Sequence, residues 1–302
     1  MPEPNTTVVV VTWRGAEHIT ACLDSLAAQD RPHRTLVVDN ASDDGTARLL
    51  AAHPSAPRVL RLHRNRGYAG AMAAALSVVD TPLMAWLNDD AVAERDWLAR
   101  LEDGLGEAAA AGAKLELADG TPQSLGVRLT ADGHGADTIE PPAFGFCGGA
   151  ALLRTNVLRA VGGVPASFFC YYEDTDTAWR LRLAGHEIAT VPEARVTHRH
   201  GASTRPGSVP FHLWNERNRL LTLLRCAPAH VAARELARFA VLTVVLPLRE
   251  NAPDAANFRL SLRCRVLAEV ALRLPVTLRA RRRIGRRSTI GRGQIWRNWT
   301  PR

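Results

Sequence analysis

Asp89 and Asp90 stand side by side at the end of an apolar run, Leu83–Leu87. Two adjacent carboxylates in a buried setting repel unless a cation or donor groups stabilise their charge, and a divalent metal ion is the economical partner. The other use of the pair is structural, with one carboxylate capping a helix that begins near Glu94 and its neighbour facing water. His198 lies 108 positions downstream of Asp90, after a further apolar segment. It closes on the same ion if a sheet brings the two strand ends together; otherwise it is an ordinary structural histidine. Imidazole beside carboxylate tilts a hard-oxygen site toward manganese and leaves magnesium open. His200 competes for that place, because in an extended segment it points the same way as His198.

Glu173-Asp174 follows an aromatic stretch, Phe168-Phe169-Cys170-Tyr171-Tyr172, and precedes a helical pattern through Trp179 and Leu183. A carboxylate at a helix N-terminus is kept ionised by free amides and the helix dipole, which suits a base that must take a proton from a substrate hydroxyl. Plain N-terminal capping is the alternative.

These side chains need a frame. Four apolar runs, Thr7–Val11, Thr35–Val38, Val59–Leu62 and Leu83–Leu87, recur every 24 to 28 residues with helical patterns between them, the rhythm of βαβ units and a parallel sheet. Ile19, Cys22, Leu23 and Leu26 form one apolar helix face. Ser42-Asp43-Asp44-Gly45 offers capping oxygens before a helix at Thr46–Ala52, and an alanine-rich helix follows at Ala69–Val79. Ligands gather at the carboxyl ends of such strands. The residues to read there are Thr12, Asp39-Asn40, Arg64-Asn65-Arg66-Gly67 and Asn88-Asp89-Asp90. Beyond Gly104, strands are expected at Leu115–Leu117 and Val127–Leu129, a loop at Gly133–Asp137, a strand and turn at Phe144–Gly149, a helix near Thr155–Val161 and a short strand at Ile188–Val191.

Joined in order, these strings point further. Val37-Val38-Asp39-Asn40-Ala41-Ser42-Asp43-Asp44-Gly45-Thr46, Asn65-Arg66-Gly67-Tyr68-Ala69-Gly70, Leu87-Asn88-Asp89-Asp90, Tyr172-Glu173-Asp174-Thr175-Asp176 with Arg180 and Gly185, and His198 to Ser203 together resemble the family 2 glycosyltransferases of the GT-A fold, most of all their rhamnosyltransferase-type branch. The resemblance covers roughly residues 6–225, and Trp214-Asn215-Glu216-Arg217-Asn218-Arg219 resembles a stretch after the catalytic core in that branch. It implies an α/β, Rossmann-like GT-A domain over 1–227, with a nucleotide-binding half to about 103 and an acceptor and metal half beyond it. The implied reaction is inverting transfer of a sugar from a nucleoside-diphosphate sugar to an acceptor hydroxyl. By the same resemblance Thr12, Asp39, Arg64, Asn65, Arg66, Gly67 and Asp89 meet the donor, and the Gly148-Gly149 turn lets backbone approach its sugar. Asp90 and His198 hold Mn2+ or Mg2+, Asp174 is the catalytic base, and Glu173 orients the acceptor or the helix.

Asn88-Asp89-Asp90 stands where Asn-Pro-Asp or Asp-x-Asp is usual, Ala71-Met72-Ala73-Ala74-Ala75 follows Gly70 where the family often has Gly or Asn, and Val164-Pro165-Ala166 replaces a common acidic residue. The Gln-x-x-Arg-Trp segment of polymerising synthases is missing, so addition of a single sugar is expected. A sugar-phosphate nucleotidyltransferase is the nearest rival, but Thr12-Trp13-Arg14-Gly15 lacks the glycine-rich Arg and Lys loop of that class. A catalytically silent nucleotide-sugar binder that docks membranes is the rival outside enzymes.

Of 302 residues 46% are hydrophobic and 23% charged, enough for one large core and a smaller appendage, which excludes disorder throughout. Five cysteines without a CxxC pair argue against a disulfide scaffold or a zinc module. The net charge of +8 is uneven: from Arg234 onward there are 16 Arg against 4 acids. A basic tail on a mildly acidic body points to a polyanionic surface. We read 228–302 as two or three Arg-rich helices whose apolar face, at Val231–Leu248, lies in an anionic lipid interface or covers the catalytic domain. Nucleic acid is not expected, since only Trp296 and Trp299 lie near the last Arg cluster. The N-terminus shows no secretory signal and the longest apolar run is about ten residues, far below the ~20 that span a bilayer. The expected location is cytoplasmic, with a peripheral place at the inner face of the plasma membrane if the basic tail meets lipid.

Overall fold

The computed structural model describes residues 3–198, 207–248 and 255–301. In its first part β1 (Thr6–Thr12), α1 (Ile19–Ala27), β2 (Arg34–Asp39), α2 (Thr46–Ala52), β3 (Arg58–Arg61), α3 (Gly67–Leu76) and β4 (Leu83–Asn88) follow the alternating rhythm of the sequence. β1 runs parallel to β2 and to β4, with Val8 opposite Thr35 on one side and Ala85 on the other. All seven residues of β1 are buried, as a strand covered on both faces must be. α1 turns Ile19, Cys22, Leu23 and Leu26 onto the sheet.

Then come β5 (Ala91–Ala93), α4 (Trp97–Leu105), β6 (Ala110–Glu116), β7 (Pro122–Ser124), β8 (Gly126–Leu129), β9 (Gly135–Thr138), β10 (Ala150–Arg154), α5 (Thr155–Ala160), α6 (Glu173–Leu183) and β11 (Ile188–His198). The main sheet has the order β3-β2-β1-β4-β10-β6-β11-β5, with β7 attached to β6, while β8 and β9 form a separate hairpin. β10 is antiparallel to both neighbours, β11 is parallel to β6, and β5 closes the far edge antiparallel to β11. The result is the mixed, mostly parallel α/β sheet of a GT-A domain.

Several local expectations are corrected. Gly133–Asp137 is no plain loop: Gly135–Thr138 pairs with Gly126–Leu129. The strand expected over Phe144–Gly149 begins only at Ala150, and its predecessors form the approach to it. Asp90 is followed by β5 and not by a helix near Glu94; α4 starts at Trp97. β6 begins at Ala110, hidden in the sequence because alanine and glycine carry little strand preference. Small residues are needed there, since a Cβ on Gly112 would meet Phe146 at 3.3 Å. β11 extends past Val191 to His198 through a register shift between Val191 and Arg195 that accommodates Pro192. At α2 the cap is Gly45 in the left-handed region (φ 93), and Asp44 Oδ1 accepts from the Thr46 amide at 3.2 Å.

The chain ends in α7 (Val209–Cys226), α8 (Ala229–Val245), α9 (Leu260–Arg287) and α10 (Arg292–Trp299). Val231, Phe239, Val266, Ile284 and Ile295 lie in the same buried cluster as Val9, Trp86 and Phe146. Trp296 stacks on Trp179 at 6.0 Å and Trp299 meets Phe144 edge-on at 5.8 Å. One face of the Arg-rich region therefore covers the α/β domain. Among the described residues no helix is long and apolar enough to cross a membrane.

Candidate active site

A cavity of about 580 Å³ opens at the carboxyl ends of β1, β2 and β4. Asn88, Asp89 and Asp90 reach it from the end of β4, His198 from the end of β11, Gly148 and Gly149 from the turn before β10, and Glu173 and Asp174 from the first turn of α6. Residues far apart in the chain are brought together because β10 lies between β4 and β6, and β11 beside β6.

At one end of the cavity the His198 Nε2 lies 3.2 Å from Asp90 Oδ1 and 3.1 Å from Asn88 Nδ2. Its Nδ1 lies 2.9 Å from Gln123 Oε1; with the ring proton on that side, Nε2 keeps a lone pair, toward which Asn88 Nδ2 donates. A ligating histidine is held in this way, by a second-layer oxygen that fixes its tautomer. The lone pair and the Asp90 oxygen converge on one point, and a divalent cation fits that donor pair. Among the described residues no cluster of three His, Cys, Asp or Glu side chains that could hold a metal ion forms. Asp89 is buried beside the Thr12 hydroxyl, and burial pushes its carboxyl up to about 7. Thr12 and Asp89 leave no room at Gly15, where a Cβ would fall 2.2 Å from the hydroxyl. His200 lies outside the described residues, as does the motif that runs on to Ser203.

At the other end the Asp174 carboxylate is oriented by three donors. Gly148 N–H donates to Oδ2 at 3.0 Å, while Thr175 N–H and Oγ1–H donate to Oδ1 at 2.5 and 3.1 Å. Burial raises the Asp174 pKa against the pull of these donors. Glu173 is only 6% exposed, its Oε2 has no hydrogen-bond partner among the described residues, and burial, helped by the charge of Asp174, pushes it up to about 8. Burial thus weighs on both carboxyls, and hydrogen-bond donors offset it at Asp174. The turn between the two ends links them. A Cβ on Gly148 would stand 3.4 Å from Asp174 Oδ2, and one on Gly149 would stand 3.3 Å from Asn88 Nδ2. Tyr68 Oη donates to the Gly148 carbonyl at 2.6 Å and fixes this turn.

The remaining residues expected at the site are distributed unevenly. Asn65 and Gly67 line the cavity, and Asn65 Oδ1 accepts from Asn40 Nδ2 at 2.9 Å. Asp39 is buried behind the wall, receiving the Ser42 amide at 2.8 Å and Arg61 at 2.5 Å, so it shapes the loop above β2. Arg64 and Arg66 are exposed and outside the cavity wall. Asp176, from the same acidic run as Asp174, turns inward to Arg180 and Arg225, each at 2.7 Å.

Sequence reasoning missed much of the lining: Gln123, Asp137 and Cys147, and the aromatic wall of Phe169 against Trp214 and Tyr171 against Phe211. The Trp214–Arg219 string could have found part of it. Asn218 Nδ2 donates to the carbonyls of Phe168, Cys170 and Tyr171 at 3.0, 2.8 and 2.8 Å. These bonds hold a segment in which Phe169, Tyr171 and Tyr172 all adopt left-handed φ, at 69, 68 and 69°. α7 thus clamps the strained aromatic segment that delivers Glu173 and Asp174.

The profile of Glycosyl transferase family 2 matches residues 7–162. An N-acetylglucosaminyl-diphospho-decaprenol L-rhamnosyltransferase of Mycobacterium tuberculosis is 27% identical over 237 residues, 65% of this chain and 76% of the relative. Among solved structures, mannosyltransferase PcManGT of Pyrobaculum calidifontis, in complex with GDP-Man and Mn2+, superposes with a TM-score of 0.56 at 19% identity, over 94% of this chain and 85% of its own. S. aureus TarS 1-349 in complex with UDP-GlcNAc gives 0.56 at 21% identity, over 93% and 88%.

Proposed function

From the premise that this chain belongs to glycosyl transferase family 2 and is a glycosyltransferase, we propose that it moves one sugar, with inversion, from a nucleoside-diphosphate sugar to an acceptor hydroxyl. The observation that carries this reading is the two-ended cavity, with Asp90 and His198 at one end and the donor-held Asp174 at the other. Asn40, Asn65 and Gly67 flank the nucleoside, with Thr12 and Asp89 beneath it. Asp39, Arg64 and Arg66 act through the conformation of this loop. Asp90 and His198 would hold a divalent cation, which when bound neutralises charge on the departing diphosphate. Gly148 and Gly149 bring backbone against the transferred sugar. Asp174 takes the proton of the acceptor hydroxyl, and Glu173 hydrogen-bonds a sugar hydroxyl as a neutral acid. One base is enough for a displacement with inversion, so no second ionised carboxylate is needed.

The relative that acts on a decaprenol-linked saccharide supports an acceptor of the same kind, a sugar hydroxyl on a polyprenyl diphosphate. The test is incubation with Mn2+ and a panel of nucleoside-diphosphate sugars, with thermal protection read alongside slow donor hydrolysis. One nucleotide should protect. Asp174→Asn should lower transfer by a factor of about 10³ or more while donor protection persists. Indifference to every nucleotide, with and without metal, would overturn the reading.

A further inference from the structure

α9 is 28 residues long and shows two unlike faces. Its inner face, Leu262, Val266, Val270, Thr277 and Ile284, is buried against the rest of the molecule. Its outer face runs Cys264, Ala268, Leu272, Val276, Arg279, Arg283 and Arg286, all exposed and all three or four residues apart, so they form one stripe about 33 Å long. The first half of this stripe is apolar, and Leu272 is 79% exposed. The second half is cationic, with Arg282 beside it.

Among the described residues no acid pairs with Arg279, Arg282, Arg283 or Arg286. The one carboxylate of α9, Glu269, is taken by Arg217 at 2.8 Å, Arg265 at 3.1 Å and Arg273 at 3.2 Å. Beside the first turns of α9 lie the last turns of α8, since Arg263 donates to Thr243 Oγ1 at 3.1 Å and to the Phe239 carbonyl at 3.0 Å. Val241 and Val244 of α8, and Leu248 just after it, are further exposed apolar side chains. A surface that pairs protruding Leu and Val with unneutralised Arg is complementary to a bilayer of anionic lipid, with acyl chains for the first and phosphate headgroups for the second. A second copy of the chain is a poor occupant, because an isologous contact would set Arg against Arg in parallel packing and Arg against Leu and Val in antiparallel packing, and neither neutralises the charge. Nucleic acid would have no use for the apolar half and finds no aromatic ring in the stripe.

We propose that the outer face of α9, with the end of α8, is the seat by which this protein lies on an anionic membrane. α9 packs on α7, whose Phe211, Trp214 and Asn215 line the cavity, so the two helices, about 20 Å of protein, stand between the lipid and the cavity. This extends the reading of a lipid-linked acceptor, but it is measured by lipid binding alone, without donor or acceptor.

The experiment is sedimentation of the full-length protein with vesicles of phosphatidylcholine alone or with about one third phosphatidylglycerol, at low and high salt. Binding should require the anionic lipid and weaken as salt rises. Leu272→Asp with Val276→Asp should reduce the bound fraction about tenfold, and Arg279→Glu with Arg283→Glu by as much. Both variants should keep the parent melting temperature and donor hydrolysis, since they touch neither core nor cavity. Equal binding to neutral vesicles, retention of vesicle binding by both double variants, a dimer in solution that either variant dissolves, or salt-sensitive binding to DNA in preference to vesicles would overturn the proposal. Failure of sugar transfer with intact lipid binding would count against the proposed function and leave the seat standing.

Discussion

Glu173 and Asp174 are neighbours in the chain and reach the cavity from one helical turn, yet they differ in what holds them. Asp174 receives three donors and Glu173 Oε2 has no partner among the described residues, so burial falls hardest on Glu173 and pushes it up to about 8. A neutral carboxyl and an amide have similar shape and donor capacity. Glu173→Gln should therefore keep kcat/KM for transfer within about threefold of the parent at pH 7, whereas Glu173→Ala, which leaves a sugar hydroxyl without its partner, should lose about tenfold or more. Steady-state transfer assays at several pH values separate the cases. A glutamine variant as damaged as the alanine variant would mean that Glu173 works as an anion. Asp176 shows the converse of the same chemistry, since its charge is fully enclosed by Arg180 and Arg225 and serves the fold.

At the scale of elements, α7 decides whether those carboxylates arrive at all. Asn218 satisfies three carbonyls of the aromatic segment, and Arg217 adds its own bond to the Phe168 carbonyl at 2.5 Å. Asn218→Ala strands the carbonyls of Cys170 and Tyr171, while Phe168 keeps its bond from Arg217, and should lower stability by on the order of 2 kcal/mol. It should also cut kcat more than KM for the donor, because the backbone that aims Asp174 loosens while the far end of the cavity is untouched. Denaturant melts and donor-saturation kinetics read the two effects. β1 to β4 and α1 are legible in the sequence because each carries its own period, and Asp90 and His198, the Gly148-Gly149 turn and the carboxylates Glu173 and Asp174 draw the eye because their types stand out. The first half of β6, Ala110 to Ala113, all alanine and glycine, is not legible, nor is β9, three of whose four residues are Gly, Ala and Asp. Nor is it legible that Asp39 would be consumed by Ser42 and Arg61, or that Gln123 would orient His198, since both depend on contacts between distant strands.

The whole molecule joins these elements through one buried cluster that runs from Val9 and Trp86 in the sheet to Phe239 and Ile295 in the C-terminal helices. Shared burial of this kind makes unfolding a single transition, so proton uptake anywhere in the cavity is felt by the global stability. Glu173 and Asp89 have folded pKa values of about 8 and about 7, above their unfolded ones, and His134 is also raised, by hydrogen bonds to Glu216 and Asp132 that outweigh its burial. Each of these groups binds its proton more tightly in the folded state. Their stabilisation is complete below the unfolded pKa values, near 4 for the carboxyls, and is lost as pH rises through 7 to 8. For each such group the slope approaches about 1.4 kcal/mol per pH unit within its window. The melting temperature of the metal-free protein should therefore fall between pH 5 and pH 8 in one cooperative step. Glu173→Gln, which has no proton to lose, should flatten the upper part of that fall. Addition of Mn2+ should flatten it further by favouring the ionised form of the Asp89-Asp90 pair. Two separate transitions, or a melting temperature that climbs toward pH 8 without metal, would show that the C-terminal helices fold apart from the sheet or that the cavity carboxyls are ionised and paired.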